Sequence, residues 1–326
     1  MSTTSNTLTM GEVAARTLAE EMRRDPTVWV LGEDVEFGGI FAQYKGLLAE
    51  FGKQRVVNTP ISESTIMGAG LGAALVGTRP VIEMRIADFV MPAIDELVNQ
   101  IAKVRYMFGG QARASLVVRM PHGLHAGSAA QHSQIIESWF VNVPGLVVAV
   151  PSTALDLAGL LRTAIRCDDP VVFFEPKALF RTSADMPDDW PAIPFGKAAH
   201  LMAGDDITIV SWAQAMPVAK LAAAELKASG HGVDLFDLRT LWPWDRAAIL
   251  ASVSRTGRLL VVQEGVGASG FGAEVAAVVA EEARGLKGIR RVASPRIPVP
   301  FAPTLEEACR ITPAMINEAA GELLAL

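Results

Sequence analysis

Short, continuously apolar runs alternating with amphipathic helical stretches constrain this chain more than any single residue does. Residues 28–31 and 146–150 are runs of this kind, and 80–84, 115–119 and 171–175 are mostly apolar runs. Strands apolar on both faces belong to parallel sheets covered by helices on either side. Between them lie helical stretches. Residues 9–24 open on Thr9-Met10-Gly11-Glu12, a capping box. Ile94, Leu97, Val98 and Ile101 form the stripe of a helix running to residue 106, and Leu157, Leu160, Leu161 and Ile165 form another. The Pro-rich segment 186–194 breaks the pattern. Beyond it, strands at 207–212, 233–238 and 259–262 alternate with helices at 216–228 and 271–284, and a mostly irregular tail at 295–303 precedes a last helix. The expectation is an α/β chain of two domains, each a mainly parallel sheet with helices on both faces. Residues 1–186 make the first domain, 187–198 a linker and 199–326 the second.

Charge and cysteine usage narrow the partners. A formal net charge of −6 without a long Lys/Arg run excludes nucleic acid and anionic membrane surfaces as expected ligands. Two cysteines, Cys167 and Cys309, are too few for a disulfide framework and suit a reducing cytoplasm. The N-terminal stretch lacks the basic-then-apolar pattern of a signal peptide, and no apolar run is long enough to span a membrane. A mean hydropathy of +0.30 is high for such a chain and predicts apolar surface reserved for a subunit interface.

Two stretches carry chemistry. In the first, residues 56–79, Glu63 is the one carboxylate, set between a Pro-containing turn and the small residues Gly68, Ala69, Gly72 and Ala73. Thr59 or Ser62 is a candidate cap for a helix that places Glu63 in its first turn. Glu63 there either complements the helix dipole or faces a ligand, and the small residues suit close approach of a backbone, a subunit or a flat molecule. In the second, His122, His125 and His132 fall in one Gly- and Ala-rich loop after a strand. Their spacing matches no zinc motif, whereas imidazoles at a strand end suit proton transfer near neutral pH. Ser133 has no nucleophile-elbow context, so a serine hydrolase is not supported. The glycines of residues 265–272 before a helix suggest either an anion site or only a tight turn.

A series of motifs in order along nearly the whole chain resembles the beta subunit of the decarboxylating component of 2-oxoacid dehydrogenases, the pyruvate, branched-chain and acetoin type. They are Gly32-Glu33-Asp34-Val35, Gly38-Gly39-Ile40-Phe41, the stretch from Asn58 to Glu63, Arg79-Pro80-Val81, Ala87-Asp88-Phe89, the stretch from Asn99 to Tyr106, Ala130-Gln131-His132-Ser133-Gln134, Pro144-Gly145-Leu146, Phe173-Phe174-Glu175-Pro176-Lys177, Asp237-Leu238-Arg239-Thr240-Leu241 and Gly272-Ala273-Glu274. The resemblance implies a thiamine diphosphate enzyme of the transketolase-like superfamily, with a pyrimidine-binding domain followed by a C-terminal domain. It implies that Glu63 bonds the aminopyrimidine ring and that Phe89 lies near it. His132 would move protons as the acyl group passes to the lipoyl arm of the acyltransferase component. It also implies a structural potassium ion, held mostly by carbonyls, at Leu116, Ala164, Ile165, Cys167 and Asp169.

Departures from the family pattern cluster on the expected substrate side. Arg85 stands near the cofactor where relatives carry no charge, either to bind a substrate carboxylate or to pair with a carboxylate such as Asp88. His122 and His125 stand where Gly or Asn is usual, and Ala42-Gln43-Tyr44 replaces a more usual Arg/Lys-x-Thr. Cys167 stands where Asp is common. The superfamily's diphosphate and magnesium motif, Gly-Asp-Gly followed by Asn-Asn, is absent. The resemblance therefore implies that an alpha subunit supplies the magnesium and diphosphate half, in an α2β2 heterotetramer. Another superfamily enzyme acting on a different 2-oxo or acyloin substrate, or a non-catalytic scaffold subunit, is the competing reading. Retention of Glu63 and His132 argues against the scaffold, and the run from Phe173 to Lys177 leans towards branched-chain substrates.

Overall fold

The structure, a computed structural model, describes residues 7–326. Residues 1–6, which begin the first expected domain and the stretch read for a signal peptide, lie outside the described residues. The described chain divides into two compact units: residues 7–122 with 139–195, and residues 123–138 with 196–326.

In the first unit, α1 (Met10–Arg24) starts at its capping box, with the Glu12 amide donating to Thr9 Oγ1 at 3.2 Å and the Thr9 amide to the Glu12 carboxylate at 2.9 Å. There follow β1 (Val28–Gly32), β2 (Val56–Asn58), α2 (Glu63–Leu75), β3 (Arg79–Glu83), β4 (Val117–His122), β5 (Val147–Ala149), α3 (Ala154–Arg166) and β6 (Val171–Pro176). These strands pair in parallel in the order β2-β1-β3-β4-β6-β5. The chain leaves β1 towards β2 but leaves β3 towards β4. The winding therefore reverses between β1 and β3, the place where such sheets bind ligands at their carboxyl ends. Val28, Val30, Val81, Val117 and Phe173 pack with Leu18, Leu157 and Leu161 of α1 and α3 in one buried cluster.

Three expectations shift. The helix predicted to run to residue 106 is π-helical over Glu96–Ile101 and α-helical only at Val104–Met107, the Ala102 amide reaching back to the Leu97 carbonyl at 3.1 Å. β4 runs on through Pro121 to His122, because β3 ends at Glu83 opposite Arg119 and leaves β4 paired only with β6 beyond that point. The Pro-rich segment 186–194 is packed down: Trp190 is buried, with the guanidinium carbons of Arg16 and Arg162 at 4.7 and 5.6 Å from its ring centre.

The second unit contains β7 (Ala199–Met202), β8 (Ile207–Ser211), α4 (Ala215–Ala228), β9 (Val233–Asp237), α5 (Arg246–Thr256), β10 (Arg258–Val266), α6 (Phe271–Glu282), β11 (Gly288–Ser294), α7 (Pro303–Glu307) and α8 (Pro313–Leu324). Its sheet order is β11-β10-β8-β9-β7, parallel except for β7. The edge strands β7 and β11 are half-exposed and lack an apolar run, so the sequence pattern passes over them. No helix of the described residues is long and apolar enough to cross a membrane.

Candidate active site

The carboxyl ends of β1, β2 and β3 gather most of the expected site residues. Glu63 opens α2 in its first turn, half-buried. Neither expected cap acts: the Ser62 hydroxyl donates to Thr65 Oγ1 at 2.8 Å, and Thr59 Oγ1 is buried without a partner. Ser64 Oγ donates to the Pro92 carbonyl at 2.6 Å and ties this turn to the 3-10 segment Ala87–Ala93, which carries Phe89. Behind Glu63, a Cβ added at Gly68 or Gly72 would meet no atom within 4 Å, so that face of the helix is open. Gly70 points the other way, and a Cβ there would sit 2.9 Å from Ile82 Cγ1 of β3. The glycines thus serve an open face and a tight helix–sheet contact separately.

Two acids at the end of β1 complete this group. Burial raises the proton affinity of Glu33, the neighbouring Glu63 carboxylate raises it further, and Arg85 opposes both. Arg85 is ion-paired with Asp34, and Asp88 is buried in the 3-10 segment. Asp34 and Arg85 hold φ values of 58° and 59°, left-handed conformations that non-glycine residues adopt at a cost. Sequence reasoning gives Glu33 and Asp34 a place in a motif but no role. Their signal is position: two acids directly after an apolar strand ending in Gly32.

Beneath this group lies a buried polar chain. Tyr44 donates its hydroxyl to Glu83, and its ring carries the Arg119 guanidinium at 4.9 Å. Arg119 in turn holds Glu175 through Nε at 3.1 Å and Nη2 at 2.5 Å. Burial pushes the Glu83 carboxyl up to about 7, against the pull of Arg119. Tyr44 is therefore a core partner, and its departure from the family pattern is not on a substrate surface.

The three histidines separate. His122 is the last residue of β4 and only 2% exposed, its ring 5.1 Å from that of Phe174. Both of its ring nitrogens lack a partner, and burial, with Lys177 beside it, pushes its pKa down to about 3. It is a neutral core residue at physiological pH. His125 and His132 lie half-buried in the segment 123–138, which belongs to the second unit. Among the described residues, no three His, Cys, Asp or Glu side chains are grouped to hold a metal ion.

In the set expected to hold potassium, an arginine already engages two of the carbonyls. Arg79 Nη1 donates to the carbonyls of Ile165 at 3.1 Å and Cys167 at 2.7 Å, while its Nη2 pairs with Asp168 at 2.6 Å. The Leu116 carbonyl accepts the Val171 amide at 3.0 Å, the Ala164 carbonyl accepts the Cys167 amide at 3.2 Å, and the Asp169 carboxylate pairs with Arg105. A guanidinium already supplies the positive charge this turn needs. The glycines of 265–272 likewise serve the protein itself. Gln263 Nε2 donates to the Val266 carbonyl at 2.9 Å, and its Oε1 accepts the Gly272 amide of α6 at 2.8 Å. A Cβ at Gly272 would stand 2.5 Å from that oxygen. The suggested anion site is occupied by this side chain.

Comparison with known proteins also gives two domains in this order, the first including residues 123–138, which the structure groups with the second unit. The transketolase pyrimidine binding domain matches residues 6–183, and the transketolase C-terminal domain matches residues 196–316. The chain is 42% identical over 311 residues to the 2-oxoisovalerate dehydrogenase subunit beta of Bacillus subtilis (strain 168), covering 94% of this chain and 95% of that one. It is 44% identical over 306 residues to the pyruvate dehydrogenase E1 component subunit beta of Rhizobium meliloti (strain 1021), covering 92% of this chain and 66% of the relative. A solved structure described as a split gene transketolase, inactive beta4 tetramer, superposes with a TM-score of 0.79 at 23% identity, covering 98% of this chain and 99% of that one, a likeness of fold. The chain belongs to the family of 2-oxoacid dehydrogenase beta subunits, built from the transketolase pyrimidine-binding and C-terminal domains.

Proposed function

We propose that this chain is the beta subunit of a thiamine diphosphate-dependent 2-oxoacid dehydrogenase, binding the pyrimidine half of the cofactor and completing its site with an alpha subunit. The observation that carries the reading is Glu63, a half-exposed carboxylate heading a helix with an open small-residue face, beside a second carboxyl of raised proton affinity. That donor set suits an aminopyrimidine: Glu63 shares a proton with a ring nitrogen, beside Glu33, whose proton affinity is raised by burial and by the Glu63 charge. Phe89, on the segment tied to the Glu63 turn, offers an aromatic wall to the ring. Arg85, held by Asp34, orients the acids and leaves its exposed edge to a 2-oxo acid carboxylate. The cofactor, when bound, supplies the nucleophilic carbon and the electron sink that loss of carbon dioxide requires. His132 moves the proton when the acyl group passes to the lipoyl domain of an acyltransferase component.

The pyrimidine-binding domain is assigned to residues 1–186, the linker to 187–198 and the C-terminal domain to 199–326. The absent Gly-Asp-Gly and Asn-Asn motif assigns magnesium and the diphosphate to the alpha subunit, in an α2β2 heterotetramer of the cytoplasm. In the assembled enzyme, Glu63→Gln should lower turnover by about 10²–10⁴-fold, the range for a lost proton-transfer group, without changing assembly. Full activity in that variant would sink the reading.

A further inference from the structure

The segment that carries His132 is a strained loop, and the strain has to be held from outside it. Ala126 and Ala129 take φ values of 53° and 61°, and Gly123 and Gly127 take 90° and 69°. Left-handed alanines are strained and persist only where the surroundings over-determine them. Within the loop, Ser128 donates to the His125 carbonyl through both its hydroxyl and its amide, the latter at 3.2 Å, and His132 N donates to the Ala129 carbonyl at 3.4 Å.

The surrounding second unit supplies three moorings. At the loop's start, Gln214 Nε2 donates to the Leu124 carbonyl at 3.0 Å and also bonds Glu264. At its end, Trp212 Nε1 donates to the buried Glu137 carboxylate at 3.2 Å. At the apex, Gly127 N donates to Glu306 Oε2 at 2.7 Å. Glu306, on α7, is 3% exposed, and its other oxygen accepts Arg310 Nη2 at 2.6 Å. Arg310 also bonds Glu307 at 3.1 Å and lies 3.8 Å from Glu264, the residue that bonds Gln214. Gly127 has no room for a side chain on its other side, since a Cβ would come within 3.0 Å of the Phe301 carbonyl. A buried carboxylate aimed at one backbone amide is an expensive arrangement unless both of its oxygens are used, and both are.

We infer that Glu306 is a positioning residue: with Arg310 behind it, its carboxylate latches the Gly127 amide and fixes the loop conformation from which His132 transfers protons. The inference rests on the reading of His132 given above. Glu306 touches neither substrate nor cofactor in this role. Its effect passes through one main-chain amide, so the length of the side chain and an acceptor oxygen matter more than its charge.

The test uses the complex with the alpha subunit and two rates: decarboxylation of a 2-oxo acid with an artificial electron acceptor, and acylation of a lipoyl domain. Amide exchange of residues 123–134 is followed alongside. Glu306→Ala should lower kcat for lipoyl acylation by about tenfold or more, the scale of a catalytic group misplaced by an ångström or less. It should leave KM and the artificial-acceptor rate near normal and raise exchange in the loop. Glu306→Gln, which keeps length and an acceptor oxygen, should restore most of the acylation. Should Glu306→Ala fail to fold, Gly127→Ala breaks the same latch from the loop side and should give the same split. Faster exchange without loss of acylation, or acylation lost equally in the Gln variant, would overturn the positioning role. Unchanged acylation in His132→Ala would instead overturn the reading of His132, and loop exchange would then decide the latch by itself.

Discussion

A buried imidazole without a partner stays neutral, and His122 therefore makes the chain sensitive to acid. Its pKa falls from an ordinary 6.5 to about 3 on folding, so below pH 6.5 the unfolded chain takes up a proton that the folded one refuses. Stability is lost as pH falls through that window, by at most about 1.4 kcal/mol per pH unit. Glu83 acts in the opposite sense. Its carboxyl rises from 4.5 to about 7, so the folded chain binds the extra proton between those values and gains stability as pH falls. Urea unfolding at pH 7.5 and 5.5 separates the two. His122→Leu should abolish an acid loss of about 1 kcal/mol, within the slope one proton allows, and Glu83→Gln should abolish an acid gain. An unchanged pH slope in both variants would contradict these assignments. The place of Glu63 in the first turn of a helix was readable from sequence, because the turn and the small residues around it mark that helix start. The pairing of Arg85 with Asp34 was not, because it depends on two strand ends that the parallel register brings side by side. The burial of His122 was equally hidden, since it rests on a strand running on through a proline.

At the scale of elements, the turn after α3 shows how a fold can carry its own counter-charge. Arg79 begins β3, and its guanidinium gathers two carbonyls and one carboxylate from the turn at 165–168. Potassium should then be dispensable. The midpoint of thermal unfolding should be the same in potassium and in tetramethylammonium salts of equal ionic strength. Arg79→Met should lower it by several degrees in both, as losing charge-assisted bonds worth about 1.5–3 kcal/mol predicts. A stabilisation specific to potassium in the unaltered chain would contradict this. The alternation of strands and helices was legible because a parallel sheet must be apolar on both faces. The edge strands β7 and β11 were not, since half-exposed strands need no such run, and the π-helical turn at Glu96–Ile101 leaves an apolar stripe that α-periodicity alone describes well enough. The two-way use of glycine in α2 was not legible either. Gly68, Gly70 and Gly72 read alike in sequence, and only the structure turns one inward and two outward.

At the scale of the whole molecule, large apolar side chains stand exposed in the first unit. Val76 and Tyr106 are 82% and 89% exposed, and Met107 and Phe108 beside Tyr106 are also exposed, all in the first unit. Apolar side chains so placed suit a covered interface. The Bacillus subtilis and Rhizobium meliloti relatives are of near-equal identity to this chain and are named for different 2-oxo acids. Identity therefore does not choose the substrate, and the acids around Arg85 become the place to look. The central claim is that this chain holds half of a thiamine diphosphate site. Its most direct test is co-expression with a candidate alpha subunit, followed by cofactor titration and turnover on a panel of 2-oxo acids with an artificial electron acceptor, for the pair and for this chain alone. Saturable, cofactor-dependent turnover by the pair and none by the single chain is the predicted result. Equal turnover by the chain alone, or a formed complex that neither binds the cofactor nor decarboxylates any acid of the panel, would contradict it.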